Sequence, residues 1–304
     1  MKFVITGGAG FIGSHIAADL IKDGSDVTIL DNLNTGNMNN LKKINDKIKF
    51  VNGDIRDYDL LKKLFQGADG VYHQAALASV QESFTKQQEY HEVNVSGTEN
   101  IFKLAKDFGF KVVYASSSSV YGNPTKIPIV ESDPKTPINP YAQTKLDTEY
   151  LAEKYSKMGA KIIGMRYFNV FGRGQSKEYA GVIKKFLERI RNLQPPIING
   201  DGSQSRDFVY VGDVAQANIM AMKSKVDHAF FNIGTNTTIS VLEIAKIMMK
   251  LSGLELELIH GPALPGDVRI TQADISSAKK LIGWEPRVRL EDWLKEIIHD
   301  TSVM

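Results

Sequence analysis

The sequence contains no cysteine, which excludes disulfide bonds, thiolate metal sites and cysteine nucleophiles. It also has almost no net charge, because 37 Lys and Arg residues face 35 Asp and Glu residues and leave a formal charge of +2. The basic residues are scattered along the chain rather than grouped. This distribution argues against nucleic acid or a membrane surface as a partner.

Long apolar segments are missing as well. No run of 18 apolar residues occurs, and no apolar segment of the signal-peptide type follows Met1, so the sequence predicts neither a membrane span nor a secretory signal. The six histidines show no metal-ligand spacing, and we predict no metal site. Together with the absence of cysteine, these features predict a cytoplasmic protein.

The first half of the chain alternates short β-branched runs with amphipathic segments. The predicted strands cover residues 3–6, 27–30, 49–52, 71–73, 112–116 and 162–167, and the predicted helices cover 11–23, 59–65, 83–108 and 141–158. This order predicts an α/β fold with a doubly wound parallel sheet that carries helices on both faces. The proline-rich segment 122–140 is predicted to be a long functional loop.

Beyond residue 171 the alternation fades. Helices are predicted over 179–192, 241–251 and 290–298, with a strand over 254–259. We expect residues 171–304 to form a smaller mixed α/β lobe. Such a lobe would close over the carboxyl ends of the strands, where doubly wound sheets bind their ligands.

A glycine-rich turn joins the first predicted strand to the first predicted helix. Gly7, Gly10 and Gly13 follow a Gly-x-x-Gly-x-x-Gly pattern, and Gly8 with the latter two gives Gly-x-Gly-x-x-Gly. Glycine allows the tight turn and the close approach of a pyrophosphate, and the helix N-terminus offers N–H groups to the phosphates. A glycine turn of purely structural purpose is the alternative. We predict a Rossmann-type dinucleotide-binding domain over residues 1–170, with a returning segment near 205–235.

Two acidic residues follow predicted strands. Asp31 lies 18 residues after Gly13, where a carboxylate can accept both ribose hydroxyls and would repel a 2′-phosphate, so NAD is favoured over NADP. Asp54 follows the third strand. It either caps a turn or contacts the edge of the adenine.

Tyr141 and Lys145 lie four residues apart at the start of a predicted helix, and therefore on one helix face. An ammonium beside the phenol favours the phenolate, and lowering the tyrosine pKa from ~10 toward neutrality makes a usable general base. Serines 116–119 end a strand that reaches the same edge, where a hydroxyl could relay the proton. The alternative for Tyr141 and Lys145 is an exposed pair on the helix surface. The alternative for the serines is a capping turn.

These motifs, in this order, resemble the extended short-chain dehydrogenases/reductases, and among them the UDP-sugar 4-epimerases. The resemblance runs nearly end to end. It rests on residues 6–13, 31–36, 53–55, 73–76, 94–98, 116–122, 139–145, 166–172, 200–211 and 265–269.

The resemblance implies NAD as the cofactor, a UDP-sugar as the substrate and a homodimer formed through the helices over 83–108 and 141–158. The catalytic residues that it implies are Ser117, Tyr141 and Lys145. The cofactor-binding residues are Gly7, Gly10, Phe11, Ile12, Gly13, Asp31, Asn32, Asn34, Thr35, Gly36, Asp54, Ile55, Gln74, Ala75, Ala76, Asn94, Tyr141, Lys145 and Phe168. The substrate-binding residues are Ser79, Ser117, Ser119, Tyr141, Asn169, Val182, Arg206, Asp267 and Thr271.

Arg206 also has a physical reason of its own, because a planar guanidinium can bridge two phosphate oxygens. The alternative is a surface ion pair with Asp207. Two other positions depart from the family pattern. Leu264 stands where arginine is usual, and Ala78 stands where lysine is common.

The two residues directly after Ser117 decide between the candidate reactions. Related dehydratases carry an Asp-Glu pair where this chain has Ser118 and Ser119, and neither hydroxyl can protonate a leaving group at neutral pH. We therefore predict 4-epimerisation of a UDP-hexose. Thr271 is small where family members with a tyrosine exclude an N-acetyl group, so the N-acetylhexosamines are expected beside UDP-glucose and UDP-galactose. A UDP-uronate 4-epimerase, an NAD(P)-dependent nucleotide-sugar reductase and a non-catalytic NAD-binding regulator remain alternatives.

Overall fold

The computed structural model describes residues 1–175, 181–263, 268–298 and 300. The strands are β1 (Lys2–Thr6), β2 (Asp26–Asp31), β3 (Ile48–Asn52), β4 (Gly70–His73), β5 (Lys111–Ser117), β6 (Lys161–Tyr167), β7 (Asn169–Phe171), β8 (Ile197–Asn199), β9 (Ser205–Arg206), β10 (Phe208–Tyr210), β11 (His228–Ile233), β12 (Ile239–Ser240) and β13 (Ile259–Gly261).

The helices are α1 (Phe11–Lys22), α2 (Tyr58–Phe65), α3 (Val80–Ser83), α4 (Gln87–Tyr90), α5 (Gly97–Phe108), α6 (Pro140–Lys157), α7 (Val182–Arg191), α8 (Val211–Lys223), α9 (Val241–Ser252), α10 (Ser276–Ile282) and α11 (Leu290–Ile297). A π-helical segment covers His91–Ser96. In the part of the chain described, no helix has both the length and the apolar character needed to cross a bilayer.

One parallel sheet organises the molecule, with strand order β11-β6-β5-β4-β1-β2-β3. The chain starts at β1, builds outward through β2 and β3, and then returns to β4 on the other side of β1. This reversal opens a crevice at the carboxyl ends of β1 and β4. The predicted α/β fold with a doubly wound parallel sheet is confirmed.

Alternate side chains of the strands supply the cores on the two faces of the sheet. In β1, Phe3 and Ile5 pack into the core that contains Ile16 of α1, while Val4 packs into the core that contains Phe102 of α5. Successive strand residues point to opposite faces, so a strand of apolar residues is buried on both sides. The carboxyl edge is thereby left as the free surface on which a site can form.

A separate apolar core holds the C-terminal lobe together. It is built by α7, α9 and α11 through residues such as Phe186, Met248 and Trp293. Between these parts, α8 packs against α1 and β11 pairs with β6, so residues 211–233 return to the large sheet. Sequence reasoning did not predict β11 as a strand.

The predicted helix over residues 83–108 is confirmed over 87–108, where three helical segments follow one another without a gap, and it is wrong over 84–86. The structure has α3, α4, the π-helical segment and α5 in this region. The Ser79 hydroxyl caps α3 by accepting a hydrogen bond from the Glu82 amide (3.2 Å), and Asn94 in the π-helical segment bonds the backbone of Leu77. Ser79 thus begins a short helix before the predicted one, and the Asn94 contact lies in the segment where the helix becomes π-helical.

The predicted strand over 254–259 is also wrong. Only Ile259 belongs to a strand, and β13 then continues to Gly261 beside β8. Residues 254–258 alternate in polarity, but they lie at or near the surface without a neighbouring strand to pair with. Alternation alone cannot supply backbone partners.

Candidate active site

Two clefts meet at the carboxyl edge of the sheet. The larger has a volume of about 610 Å³ and lies over the ends of β1, β2, β4 and β5. The smaller, of about 290 Å³, lies between this edge and the C-terminal lobe. Both are lined by Ser117, Tyr141, Tyr167 and Phe168.

The glycine turn forms one end of the larger cleft. Gly7 has a φ of 68°, and a Cβ there would lie 2.5 Å from the Ala75 backbone nitrogen. A Cβ at Gly13 would lie 2.3 Å from the Gly7 carbonyl oxygen. A Cβ at Gly10 would meet only that oxygen, at 3.1 Å. Gly7 and Gly13 therefore permit the turn itself, whereas Gly10 keeps the approach to the helix open.

The first turn of α1 is suited to phosphate. Its N-cap is Gly10, no side chain caps it, and it contains no acidic residue. Phe11, Ile12 and Gly13 line the cleft at this point. The uncapped N–H groups and the positive end of the helix dipole favour an anion.

Asp31, the last residue of β2, lies on the wall of the larger cleft and is 7% exposed. Its Oδ2 accepts a hydrogen bond from the Ala9 amide (2.9 Å), and its Oδ1 accepts one from the Leu33 amide (2.8 Å). Burial raises the pKa of this carboxyl, and the two backbone hydrogen bonds partly oppose that effect. Each oxygen keeps a lone pair for a further donor, as two neighbouring ribose hydroxyls require. Gly36 lies so close that a Cβ there would be 2.6 Å from Oδ1.

Asp54 is held by a residue that sequence reasoning missed. The Arg56 guanidinium donates two hydrogen bonds to Asp54, from Nε to Oδ1 (2.9 Å) and from Nη2 to Oδ2 (2.8 Å). These bonds lower the pKa of Asp54 to about 2. Arg56 lines the cleft beside Asp54. The spacing of two residues was visible in the sequence, but it does not by itself indicate a bidentate pair.

The start of α6 fixes the position of Tyr141. Asn139 caps this helix by accepting a hydrogen bond from the Ala142 amide (2.8 Å), and Pro140 occupies the first turn. Tyr141 and Lys145 then project from adjacent turns toward the end of β5 and line the larger cleft. The Lys145 ammonium donates a hydrogen bond to the carbonyl oxygen of Ala115 (2.7 Å).

The sequence predicted that Lys145 would lower the pKa of Tyr141, and the structure shows a different balance. Burial raises the pKa of the Tyr141 phenol, and the influence of the neighbouring Ser117 hydroxyl opposes that effect. Burial also lowers the pKa of Lys145 to about 8. Desolvation disfavours the charged form of each group, and it is the largest cause of both shifts.

The smaller cleft combines hydroxyl, amide and cationic side chains. Sequence-predicted residues on its wall are Ser117, Ser119, Tyr141, Asn169, Arg206 and Thr271. The Ser119 hydroxyl donates a hydrogen bond to Ser117 Oγ (2.9 Å). The Thr271 side chain is buried, and its Oγ1 has no hydrogen-bond partner within the described residues.

The side chains of Arg206 and Asp207 lie in different environments. The buried Asp207 carboxylate accepts hydrogen bonds from the backbone of Thr235 (2.7 Å), Asn236 (3.1 Å) and Ala273 (3.0 Å). Arg206 instead lines the smaller cleft. Asp207 therefore joins two loops, and the described residues show no ion pair between it and Arg206.

Most predicted cofactor-binding residues line the larger cleft. These are Gly7, Gly10, Phe11, Ile12, Gly13, Asp31, Asn32, Asn34, Thr35, Asp54, Ile55, Gln74, Ala75, Ala76, Tyr141, Lys145 and Phe168. Sequence reasoning missed Leu77, Glu89, Val93 and Gln175 on the same wall. No local motif marks these positions, because they reach the cleft only through the fold.

Four predicted contacts are not on the walls of the clefts. Ser79 caps α3, Gly36 lies behind Asp31, and Val182 begins α7 beside the core of the C-terminal lobe. The Asn94 amide is buried and bonds both backbone groups of Leu77 (2.8 and 2.9 Å). Their contacts with ligands stay predictions. Asp267 and Leu264 lie outside the described residues.

The donor set of these clefts suits a dinucleotide and a nucleotide-sugar. An uncapped helix N-terminus is available for a diphosphate, and Asp31 for a ribose. No group of three His, Asp or Glu side chains that could hold a metal ion occurs in residues 1–175, 181–263 and 268–298.

Comparison with known proteins gives a consistent result. The model of the NAD dependent epimerase/dehydratase family matches residues 3–234. The chain is 43% identical to a putative UDP-glucose 4-epimerase of Methanocaldococcus jannaschii, over 97% of each chain.

Two solved structures are closely similar. The UDP-N-acetylglucosamine 4-epimerase of Methanobrevibacter ruminantium is 37% identical with a TM-score of 0.92, over 98% of this chain and 96% of that one. The UDP-glucose 4-epimerase of Thermotoga maritima, solved with UDP-glucose, is 35% identical with a TM-score of 0.93, over 98% and 97% of the two chains. The chain therefore belongs to the NAD-dependent epimerase/dehydratase family, and within it to the nucleotide-sugar 4-epimerases, with NAD as the cofactor.

Proposed function

We propose that this protein inverts C4 of UDP-hexoses through a 4-keto intermediate, and that it accepts UDP-GlcNAc and UDP-GalNAc beside UDP-glucose and UDP-galactose. The observation that carries the proposal is the position of Tyr141 and Ser117 on the walls of both clefts. A group at this junction can reach a sugar carbon and a cofactor at once. The proposal assigns the larger cleft to NAD and the smaller to the UDP-sugar.

In this proposal Tyr141 is the base for the C4 hydroxyl. Its oxygen takes the hydroxyl proton as the C4–H bond breaks, and it returns that proton when the ketone is reduced. When bound, NAD supplies the reversible hydride acceptor that the reaction needs. Ser117 supports the phenolate by hydrogen bonding, since its influence on Tyr141 favours the ionised form.

The stereochemical inversion requires the sugar to turn while the nucleotide stays bound. We assign this anchoring to Arg206 and Asn169 in the smaller cleft. A guanidinium can bridge phosphate oxygens with two hydrogen bonds. Binding energy taken from the nucleotide leaves the hexose ring free to present either face.

The choice of sugar is proposed from Thr271. Its small side chain lies on the wall of the smaller cleft, and its buried Oγ1 has no partner within the described residues. A tyrosine at this position would reduce the space in this cleft of about 290 Å³. A threonine leaves room for an N-acetyl group.

The residues after Ser117 support epimerisation over dehydration. Ser118 and Ser119 line the smaller cleft where an acid and a base would be needed to eliminate water. Serine hydroxyls cannot serve as that acid at neutral pH. The Ser119 hydroxyl instead donates a hydrogen bond to Ser117 Oγ (2.9 Å).

The test is an assay without added cofactor. The purified protein is denatured, the released nucleotide is identified, and the native protein is incubated with UDP-glucose, UDP-GlcNAc, UDP-glucuronate and their C4 epimers. We expect NAD to be released and both of the first two pairs to interconvert. Turnover of the uronates alone would favour the uronate epimerase. A separate incubation with added NADPH tests the reductase, which would consume the NADPH. The absence of turnover in both incubations would favour a regulator.

A homodimer in the cytoplasm is part of the same proposal. The exposed apolar side chains Tyr150 and Met158, on and directly after α6, and Phe108 on α5 are 57%, 51% and 41% exposed. A two-fold contact through these helices would cover them. Analytical ultracentrifugation of the wild type and of Tyr150→Glu tests the dimer, which the charged variant should dissociate.

A further inference from the structure

Glu149 is a buried acid that the proposed chemistry does not use. It lies on α6, four residues after Lys145 and eight after Tyr141, so all three project from one face of the helix. Its side chain is 3% exposed. A carboxylate in such a place is costly unless its partners satisfy it.

The partners of Glu149 come from two adjacent strands of the sheet. The Ser116 hydroxyl at the end of β5 donates a hydrogen bond to Oε1 (2.6 Å). Arg166 of β6 donates two more, from Nε to Oε1 (2.8 Å) and from Nη2 to Oε2 (2.7 Å). Ser116 and Arg166 are register partners in the sheet. Through these hydrogen bonds, Glu149 links α6 to β5 and β6.

This link between α6 and the sheet lies directly beside Tyr141 and Ser117. Ala115, Ser116 and Ser117 are consecutive residues of β5, and each meets one residue on the same face of α6. Ala115 accepts a hydrogen bond from Lys145, Ser116 donates one to Glu149, and Ser117 lines both clefts beside Tyr141. These three residues of β5 face three residues of α6. A shift of the helix would alter all three together.

Arg166 extends the network to the smaller cleft. Its Nη1 donates to the hydroxyl of Tyr121 (2.7 Å) and to the carbonyl oxygen of Glu131 (2.9 Å). Tyr121 is followed by Gly122, which lines that cleft. The same ion pair thus holds both the catalytic helix and the loop that borders the sugar.

We propose that Glu149, with Arg166 and Ser116, forms a positioning unit that sets the register of α6 on β5 and so keeps Tyr141 in hydrogen-bond reach of Ser117. The proposal rests on the proposed function for its kinetic consequence. Its geometric consequence concerns only this chain, because Tyr141 and Ser117 lie on the same cleft walls without substrate.

The experiment separates positioning from stability by replacing the ion pair with apolar residues. In Glu149→Leu/Arg166→Met both charges are removed, and such replacements of buried pairs often leave stability unchanged or increased. We expect an unfolding midpoint near that of the wild type, unchanged binding of UDP, and kcat lower by about 100-fold. The acidic limb of the pH profile of kcat should move to higher pH, because a displaced Tyr141 loses the influence of Ser117 that lowers its pKa.

Two single variants make the test independent of whether the double variant folds. Ser116→Ala removes only the hydroxyl bonded to Glu149 and should lower kcat about tenfold with an unchanged KM. Tyr155→Phe is the matched control, since it removes the bond from α6 to Glu99 of α5 (2.9 Å) and leaves the β5 contacts intact. It should leave kcat and the pH profile unchanged.

The positioning role and the proposed function each have an outcome that would contradict them. Wild-type kcat and pH profile in both Ser116→Ala and the double variant would overturn the positioning role, as would an equal loss in Tyr155→Phe. If the wild type turns over no UDP-sugar, the proposed function fails separately. The pKa of Tyr141, measured by NMR of protein labelled with ¹³C at the tyrosine Cζ, then decides: a rise in Ser116→Ala supports the positioning unit, and no change contradicts it.

Discussion

The ammonium of Lys145 lies 5.9 Å from the centroid of the Tyr141 ring and donates its hydrogen bond to the Ala115 backbone rather than to the phenol. Burial raises the pKa of Tyr141 and lowers that of Lys145 to about 8. The chain by itself therefore keeps the phenol protonated at neutral pH. A further positive charge is required to make Tyr141 a base, and oxidised nicotinamide carries one, so we expect the base to form only in the loaded enzyme.

Lys145→Met should abolish turnover and yet stabilise the free protein at pH 7. Burial shifts the pKa of Lys145 from 10.5 to about 8, which corresponds to about 3 kcal/mol of destabilisation while the group is charged. Loss of the hydrogen bond to Ala115 offsets about 1 kcal/mol of this. We predict a net gain of about 2 kcal/mol in the free energy of unfolding, measured with urea on nucleotide-free protein.

The gain has a defined pH dependence. Below pH 8 the lysine is charged in both folded and unfolded chains, and the full burial cost is present. Between pH 8 and 10.5 the folded chain binds fewer protons than the unfolded one, so the wild type gains stability with rising pH and the difference shrinks. A difference that is constant from pH 7 to 10 would contradict the burial of a charged Lys145.

Gly10→Ala and Gly13→Ala should separate cofactor binding from folding. A methyl group at Gly13 would lie 2.3 Å from the Gly7 carbonyl oxygen and would strain the turn itself. A methyl group at Gly10 would require only a small shift of that oxygen, at 3.1 Å, and would occupy space in the cleft. We predict a lower melting temperature for Gly13→Ala without nucleotide, and a near-normal one for Gly10→Ala with NAD affinity reduced at least tenfold. Calorimetric titration with NAD measures the difference, and equal NAD affinities in Gly10→Ala and wild type would contradict the assignment of this cleft.

Thr271→Tyr should change the sugar preference. The larger side chain would fill the part of the smaller cleft that we assign to the C2 substituent. We predict that kcat/KM for UDP-GlcNAc falls at least tenfold while that for UDP-glucose changes by less than threefold. Thr271→Val is the matched control, because it keeps the volume and removes the unpartnered hydroxyl. An unchanged ratio of the two substrates in Thr271→Tyr would show that this residue does not border the sugar.

The sequence predicted those features in which a local motif carries its own chemistry. The glycine turn requires small residues next to one another, and Asp31 follows at a spacing set by one helix and one strand. Tyr141 is placed by its neighbours Asn139 and Pro140, which begin the helix. Each of these relations lies within one turn or one strand–helix–strand unit, and the resemblance to a known family supplied the remaining roles.

The parts that the sequence did not predict depend on contacts between distant segments. Arg166 and Glu149 are 17 residues apart and meet only because β6 and α6 pack together. Asn94, in the π-helical segment, bonds Leu77, 17 residues earlier. The balance of pKa values at Tyr141 depends on burial, which helical spacing does not reveal. Tertiary structure sets these features, and no short pattern encodes them.

The central claim is that Tyr141, at the junction of the two clefts, takes and returns the proton while the C4 hydride stays within the enzyme. It is tested most directly by incubating wild type and Tyr141→Phe with UDP-GlcNAc deuterated at C4, without added NAD, and following the product by NMR. We predict that the wild type forms the C4 epimer with its deuterium retained, and that Tyr141→Phe binds UDP normally but turns over at least about 100-fold more slowly. Loss of the deuterium to water, or near-normal turnover by Tyr141→Phe, would contradict the account.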